Sequence, residues 1–338
     1  MAADISLKDN IAMGVVPTHL KFAGTLAPDA NGKLPRQKNG LLTVVAGMQR
    51  LVRKSRVKLT CVQIPHFPGM DEGDLAEMIK GFKTLGLETH LILMIAGADP
   101  MNPKDEDKVV GMLVRALKAA RKFGIANVSS TSEEEWMKGG ARPKTGKAFT
   151  VAWAQSVRVH VRACRDAGVK GSCIKNWHIE FVRNGEFQTF TDIRKCWAFV
   201  NAANKARGGK FFKVLVDAAH CGDSTVSIPE HMEIIRQMAA HDELGIFHAS
   251  AHTTRGCLSA DDGWIGALLT ACAKTGKLKF VFTEVFHHED PALRALRDMD
   301  PGHGIDTTDG RTYDQVVADG ITDVARRLNN LVSRGMLR

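Results

Sequence analysis

The 338-residue chain alternates β-prone and helix-patterned segments eight times. The β-prone runs are Ile11 to Val16, Val57 to Ile64, Glu88 to Ile95, Ile125 to Ser130, Ser172 to Phe181, Phe212 to Ala218, Gly245 to Ser250 and Leu278 to Val285. Amphipathic runs lie between them, and several stop at a glycine: Gly86, Gly124, Gly168 and Gly276. Glycine takes the left-handed conformation that ends a helix with little strain. Strand then helix, eight times over, predicts an α/β chain folded as a (β/α)₈ (TIM) barrel. The competing architecture is a doubly wound open sheet. Against it, no Gly-x-Gly-x-x-Gly follows the first strand and no Gly-Lys-Ser/Thr phosphate loop occurs. No linker or shift in composition divides the chain. The expectation is a single barrel domain over 1–338, with a C-terminal helical extension from about residue 313 (Tyr313 to Ser333).

Four of the later strands carry acid or imidazole groups at their C-terminal ends. They read Trp177-His178-Ile179-Glu180-Phe181, Val214-Leu215-Val216-Asp217, Ile246-Phe247-His248 and Val281-Phe282-Thr283-Glu284. Such groups are rarely buried unless paired, hydrogen-bonded or metal-bound. In a (β/α)₈ barrel the C-terminal strand ends form the active face. Three carboxylates converging there repel one another, and a divalent cation removes the repulsion. Two Glu, one Asp and one His make a mostly oxygen donor set. It suits Mn²⁺ best, or Mg²⁺, and accommodates Co²⁺ or Zn²⁺.

Alternation along a strand adds candidates. Residues two apart share a face, so His178 goes with Glu180, and His252 with His248. Imidazole is the natural acid/base at neutral pH, which makes His178 a candidate base. His19 and His66 end the first two strands and are expected to line the mouth as substrate contacts. His90 begins the third strand, at the opposite end, and reads as structural. His160, His231 and His241 fall on helices and read as surface residues. His287 and His288 follow Glu284 and could cover the pocket.

Bulk composition excludes other classes. Hydrophobic residues make up 44% of the chain and charged residues 25%, as in ordinary globular proteins. No apolar run approaches the roughly 20 residues of a membrane helix. The N-terminal residues lack an apolar signal core, so a cytoplasmic protein is expected. Seven cysteines without a Cys-x-x-Cys pair read as reduced and buried, with Cys221 and Cys257 beside the candidate site. The net charge of +9 invites nucleic acid, but clusters such as Arg53-Lys54-Ser55-Arg56 close helices, where they suit the dipole. No nucleic acid and no membrane is therefore the expectation.

The order Glu180, Asp217-Ala218-Ala219-His220, His248, Glu284 at strands five to eight resembles the xylose-isomerase-like TIM-barrel superfamily. That group includes ketose 3-epimerases, inosose dehydratases and endonuclease IV. The resemblance covers most of the chain in architecture and is motif-specific from Trp177 to Glu284. It implies Glu180, Asp217, His248 and Glu284 as metal ligands, Glu180 and Glu284 as catalytic acid/base groups, and His220 and Arg255 as substrate contacts. The segment after His248 lacks the acidic residue usual there, and the loop from Gly24 to Asn39 is long for an epimerase.

Two activities follow from the resemblance. One is a metal-dependent sugar isomerase or epimerase working by proton abstraction next to a carbonyl. The other is a lyase resembling the catalytic subunit of bacterial C-glycoside deglycosidases. Those enzymes cleave 3-keto C-glucosides by elimination and pair this barrel with a small β-rich subunit, and in that reading His178 leads as base. A sugar or glycoside substrate and an oligomeric state are expected under both. Endonuclease IV chemistry needs an Asp-x-His after the seventh strand, which Ser259 to Trp264 does not supply.

Overall fold

The computed structural model describes residues 4–18, 20–251, 263–287, 294–299 and 312–337. Eight parallel strands close into one barrel in chain order. They are β1 (Ala12–Val16), β2 (Cys61–His66), β3 (Glu88–Leu93), β4 (Asn127–Ser130), β5 (Asn176–Ile179), β6 (Phe212–Asp217), β7 (Leu244–Ala249) and β8 (Phe280–Glu284). Closure is made by β1 on β8, in register from Ala12↔Phe280 to Val16↔Glu284. The helices between them are α1 (Thr43–Lys54), α2 (Glu72–Thr84), α3 (Glu106–Lys122), α4 (Gly146–Asp166) and α5 (Ile193–Arg207). Further on come α6 (Ala218–Gly222), α7 (Ile228–Ala240), α8 (Trp264–Lys274), α9 (Arg294–Met299) and α10 (Tyr313–Ser333).

The eightfold alternation is therefore real, with strands shorter than their apolar runs. An apolar run records burial, and burial continues past the last ladder hydrogen bond. At β5 this matters: the strand ends at Ile179, so Glu180 is the first residue beyond it.

Alternate strand residues build two apolar regions. Ile64, Leu91, Trp177, Ile179, Phe212, Phe247 and Val281 face the helix layer and join the large core. Val16, Cys61, Leu215, Ile246 and Phe282 face inward and pack the barrel centre. Each large side chain taken wholly from water contributes about 1.5–3 kcal/mol. At Gly14 a Cβ would lie 2.6 Å from the Phe282 ring, so a glycine there lets that ring fill the centre.

The ladder between β6 and β7 is irregular. Val214 pairs with Leu244, yet Val216 pairs with Phe247, so Leu215 faces the two residues Gly245 and Ile246. This bulge brings Asp217 level with His248. A Cβ on Gly245 would lie 2.3 Å from His178 Nδ1 and 2.7 Å from the Val214 carbonyl, so the bulge needs glycine.

One expectation needs correction. His160 and His231 are not surface residues; both are fully buried. His160 lies 2.7 Å from Ser132 Oγ and 2.8 Å from the Ser156 carbonyl, and burial pushes its pKa down to about 4. His231 stacks edge-on against Trp264 at 5.5 Å. Helix position alone does not show which face a side chain takes. The stretch from Ser132 to Thr145 carries no regular element before α4 begins at Gly146, and its acidic start is buried at Glu133 and Glu134. Glu134 accepts from the backbone N–H groups of Gln188, Thr189 and Phe190 at 2.8–3.1 Å, clamping this stretch to the segment after β5. No described helix is long and apolar enough to cross a membrane.

Candidate active site and metal centre

Glu180, Asp217, His248 and Glu284 meet at the C-terminal mouth, with one ligand atom of each within 4.8 Å of every other. His248 Nδ1 stands at their centre, 3.1 Å from Glu284 Oε2, 3.4 Å from Glu180 Oε1 and 3.7 Å from Asp217 Oδ2. Asp217 and His248 are essentially buried, and the two glutamate side chains are little more exposed. Each is held by local structure. Asp217 Oδ1 caps α6, accepting from the N–H groups of Ala219 at 2.6 Å and His220 at 3.1 Å, which turns Oδ2 toward the cluster. That capping explains the extra short helix, which the sequence reading did not contain. His248 Nε2 lies 2.7 Å from Gln63 Oε1.

The electrostatics are those of three carboxylates crowded around one imidazole. Burial, followed by the charges of Glu180 and Asp217, pushes the Glu284 carboxyl up to about 7, although His248 opposes this. Burial works against a charge on His248, but Glu284 and Glu180 outweigh it and hold its pKa well above the usual imidazole range. Three oxygen donors and one ring nitrogen converge, a donor set that would fit a divalent cation.

A second group of residues joins the mouth. His220 Nδ1 accepts from the Arg183 backbone N–H at 3.1 Å, which aims Nε2 toward Glu180 Oε1, 3.9 Å away. The Arg183 guanidinium donates to Glu186 Oε1 at 3.2 Å, and Trp136 Nε1 donates to Glu186 Oε2 at 2.9 Å. Trp136 keeps 42% of its surface exposed although anchored this way. Gln63, Trp136, Arg183 and Glu186 were missed in the sequence. Signals existed: a glutamine within the apolar run Cys61-Val62-Gln63-Ile64, and a glutamate six residues after Glu180.

Other candidates stand elsewhere. His178 shares Glu180's inward face, as alternation requires, but one strand step deeper, about 6–7 Å along the barrel. Its Nε2 lies 3.4 Å from Asn127 Oδ1, and its ring lines a cavity of about 390 Å³ with Lys213, Asp242 and Lys279 at the N-terminal strand ends. Burial, then the charges of His90, Lys213 and His248, keeps its pKa well below the usual value. His178 was expected beside Glu180, and its contacts lie one strand step below it. His66 alternates with Ile64 onto the helix side, where Arg115 and Glu72 act on its imidazole, so it turns away from the cluster. His90 sits low in the barrel, 3.4 Å from Glu88 and edge-on to Phe280, in keeping with a structural role. His287 packs against the Tyr313 ring at 5.0 Å. His19, His252, Arg255 and His288, expected at the mouth, lie outside the described residues.

No protein-family model and no curated protein sequence matches the chain. Solved structures do. L-ribulose 3-epimerase superposes with a TM-score of 0.72 at 14% identity, covering 96% of this chain and 97% of that one. D-allulose 3-epimerase from Methylomonas sp. gives 0.70 at 17% identity over 97% of this chain and 100% of that one. The 3-keto-D-glucoside 4-epimerase of E. coli gives 0.58 at 12% identity over 94% and 99%. The shared feature is the fold, a closed (β/α)₈ barrel.

Proposed function

We propose that this protein is a divalent-cation-dependent isomerase or epimerase of a small sugar, acting by proton abstraction next to a carbonyl. The observation that carries the reading is the mouth cluster: two glutamates from β8 and the end of β5 share one centre with Asp217 and His248. Glu180, Asp217, His248 and Glu284 would hold the ion, with Mn²⁺ the first choice. When bound, it supplies stabilisation of negative charge on a substrate oxygen, worth several kcal/mol.

The chain's own residues supply the rest. A carbon acid beside a carbonyl needs one group to remove the proton and another to return it. The carboxyl groups of Glu284 and Glu180 come from opposite ends of the β5–β8 arc, so they can flank a sugar. Without a cation, burial holds the Glu284 carboxyl up at about 7. His220, oriented by the Arg183 backbone, is in position to bind a substrate hydroxyl. Trp136, fixed by Glu186, offers an aromatic edge at the rim. His178 is not assigned the base in this reading, because its partners are at the other end of the barrel.

The fold also supports a second reading with the same first step, elimination from a 3-keto-glucoside; one similar structure is an epimerase of 3-keto-D-glucosides. The C-glycoside lyase form of that reading carries a small β-rich partner subunit. A cytoplasmic, oligomeric protein of one barrel domain with α10 as its extension completes both proposals. The test is incubation with ketoses and with 3-keto-glucosides in D₂O with Mn²⁺. Epimerisation places deuterium at the inverting carbon. Elimination instead releases aglycone and leaves an unsaturated keto-sugar. Absence of both, with loss of neither proton nor aglycone, overturns the proposal.

A further inference from the structure

The imidazole at the centre of the cluster is tied from behind. His248 Nδ1 faces three carboxylates at 3.1–3.7 Å, while Nε2 lies 2.7 Å from Gln63 Oε1. Gln63 reaches in from β2 and is fully buried. Its amide nitrogen donates to Ser129 Oγ of β4 at 2.7 Å, and Ser129 is buried as well. A chain of side chains thus crosses the barrel from β4 through β2 to β7.

This chain bears on which ring nitrogen carries the proton. With the amide oxygen toward the ring, Nε2 must be the donor, so the proton that a cation would displace is the one on Nδ1. With the amide reversed, its nitrogen would donate to Nε2. The ring proton would then sit on Nδ1, directed at the place where the four ligand atoms converge. In the structure the amide takes the first arrangement, with Oε1 2.7 Å from His248 Nε2 and the amide nitrogen 2.7 Å from Ser129 Oγ. We propose that Gln63 is a positioning residue that fixes His248 as its Nε2–H tautomer and so reserves Nδ1 for a divalent cation. The inference rests on the cation reading of the cluster. It adds a residue, on a distant strand, that touches neither the ion nor the substrate. Groups that orient a metal-bound histidine in this way typically tune affinity 10–100-fold.

The experiment compares wild type, Gln63→Leu and Gln63→Glu. Mn²⁺ affinity is measured by competition with a chelator, and thermal denaturation checks that each variant folds. Ring ¹⁵N shifts of His248 are recorded with diamagnetic Mg²⁺ or Zn²⁺ and assigned through His248→Gln. Gln63→Leu should weaken Mn²⁺ binding about 10–100-fold. Gln63→Glu, which keeps an acceptor, should recover most of the loss. The wild-type ring should show a protonated Nε2 and a cation-bound Nδ1. Equal Mn²⁺ affinity in wild type and Gln63→Leu, or a cation-bound Nε2, overturns the inference while leaving the cation reading intact. A wild type that binds no divalent cation ends both. Should Gln63→Leu fail to fold, the wild-type ring shifts decide alone.

Discussion

The two ends of the barrel interior hold similar kinds of residue in opposite arrangements. At the N-terminal end, the two acids Glu88 and Asp242 each stand beside a base. Lys213 meets the Asp242 carboxylate at 2.9 Å, His90 lies 3.4 Å from Glu88, and His178 approaches Asn127. At the C-terminal mouth, three carboxylates crowd around one imidazole. Buried polarity therefore does not by itself mark a site. Matched groups contribute to folding or cost little, whereas like charges gathered at one point are tolerated only where something else uses them.

Mutation should separate the two ends. The largest effect is expected from Glu284→Gln at the mouth, which removes a proton-transfer group. Turnover of whichever sugar proves active should fall by about 10²–10⁴ with the fold intact, as read by steady-state kinetics. Asp217→Asn comes next. Asparagine can still cap α6, so folding should hold, while Mn²⁺ affinity should fall at least as far as the roughly 10–100-fold expected of Gln63→Leu. Unchanged metal content in that variant removes Asp217 from the ligand set. At the other end, His178→Ala should cost about 1–3 kcal/mol of stability through lost packing and leave turnover within a few-fold. A collapse of turnover with the metal retained would move the base to His178 and favour the elimination reading.

The smallest expected effect is a pH trend. The folded-state pKa of Glu284 is about 7, above the roughly 4.3 of an unfolded glutamate. In this window the folded state binds the extra proton, so metal-free stability declines as pH rises from about 4.3 to about 7. Melting temperatures in EDTA at pH 5 and pH 7.5 should show Glu284→Gln gaining on wild type at the higher pH. The paired groups at the N-terminal end give no reason for a matching gain.

The same contrast explains what could be read in advance. Glu180, Asp217, His248 and Glu284 were legible because each breaks an apolar run at the strand end where barrel chemistry resides. The placement of His178 was only half legible: alternation gives the face and says nothing of depth. For His160 the helix period held a usable hint, since it stands four residues from buried Ser156 and three from buried Ala163. Gln63 and Glu186 make their contacts across strands or to a rim tryptophan, and such partners follow from closure of the barrel, not from local pattern. Glu134 is of the same kind: its three backbone N–H partners belong to the segment after β5, far along the chain.

The single extra residue in β7 carries a consequence for anyone who would transplant this centre. Strands of a closed barrel keep count with their neighbours, and between Leu215 and the Gly245–Ile246 pair the count slips by one. Flatten that bulge without shortening the strand, and Phe247 would stand opposite Asp217, pointing inward, while the imidazole swung out among the helices. Eight strands would still form and every ligand would still be present in the chain. What specifies the centre is thus partly a length, a vernier between two strands, and not only a set of residue types. A graft onto another barrel that copies the four side chains without that offset would reproduce the composition of the site and lose its geometry.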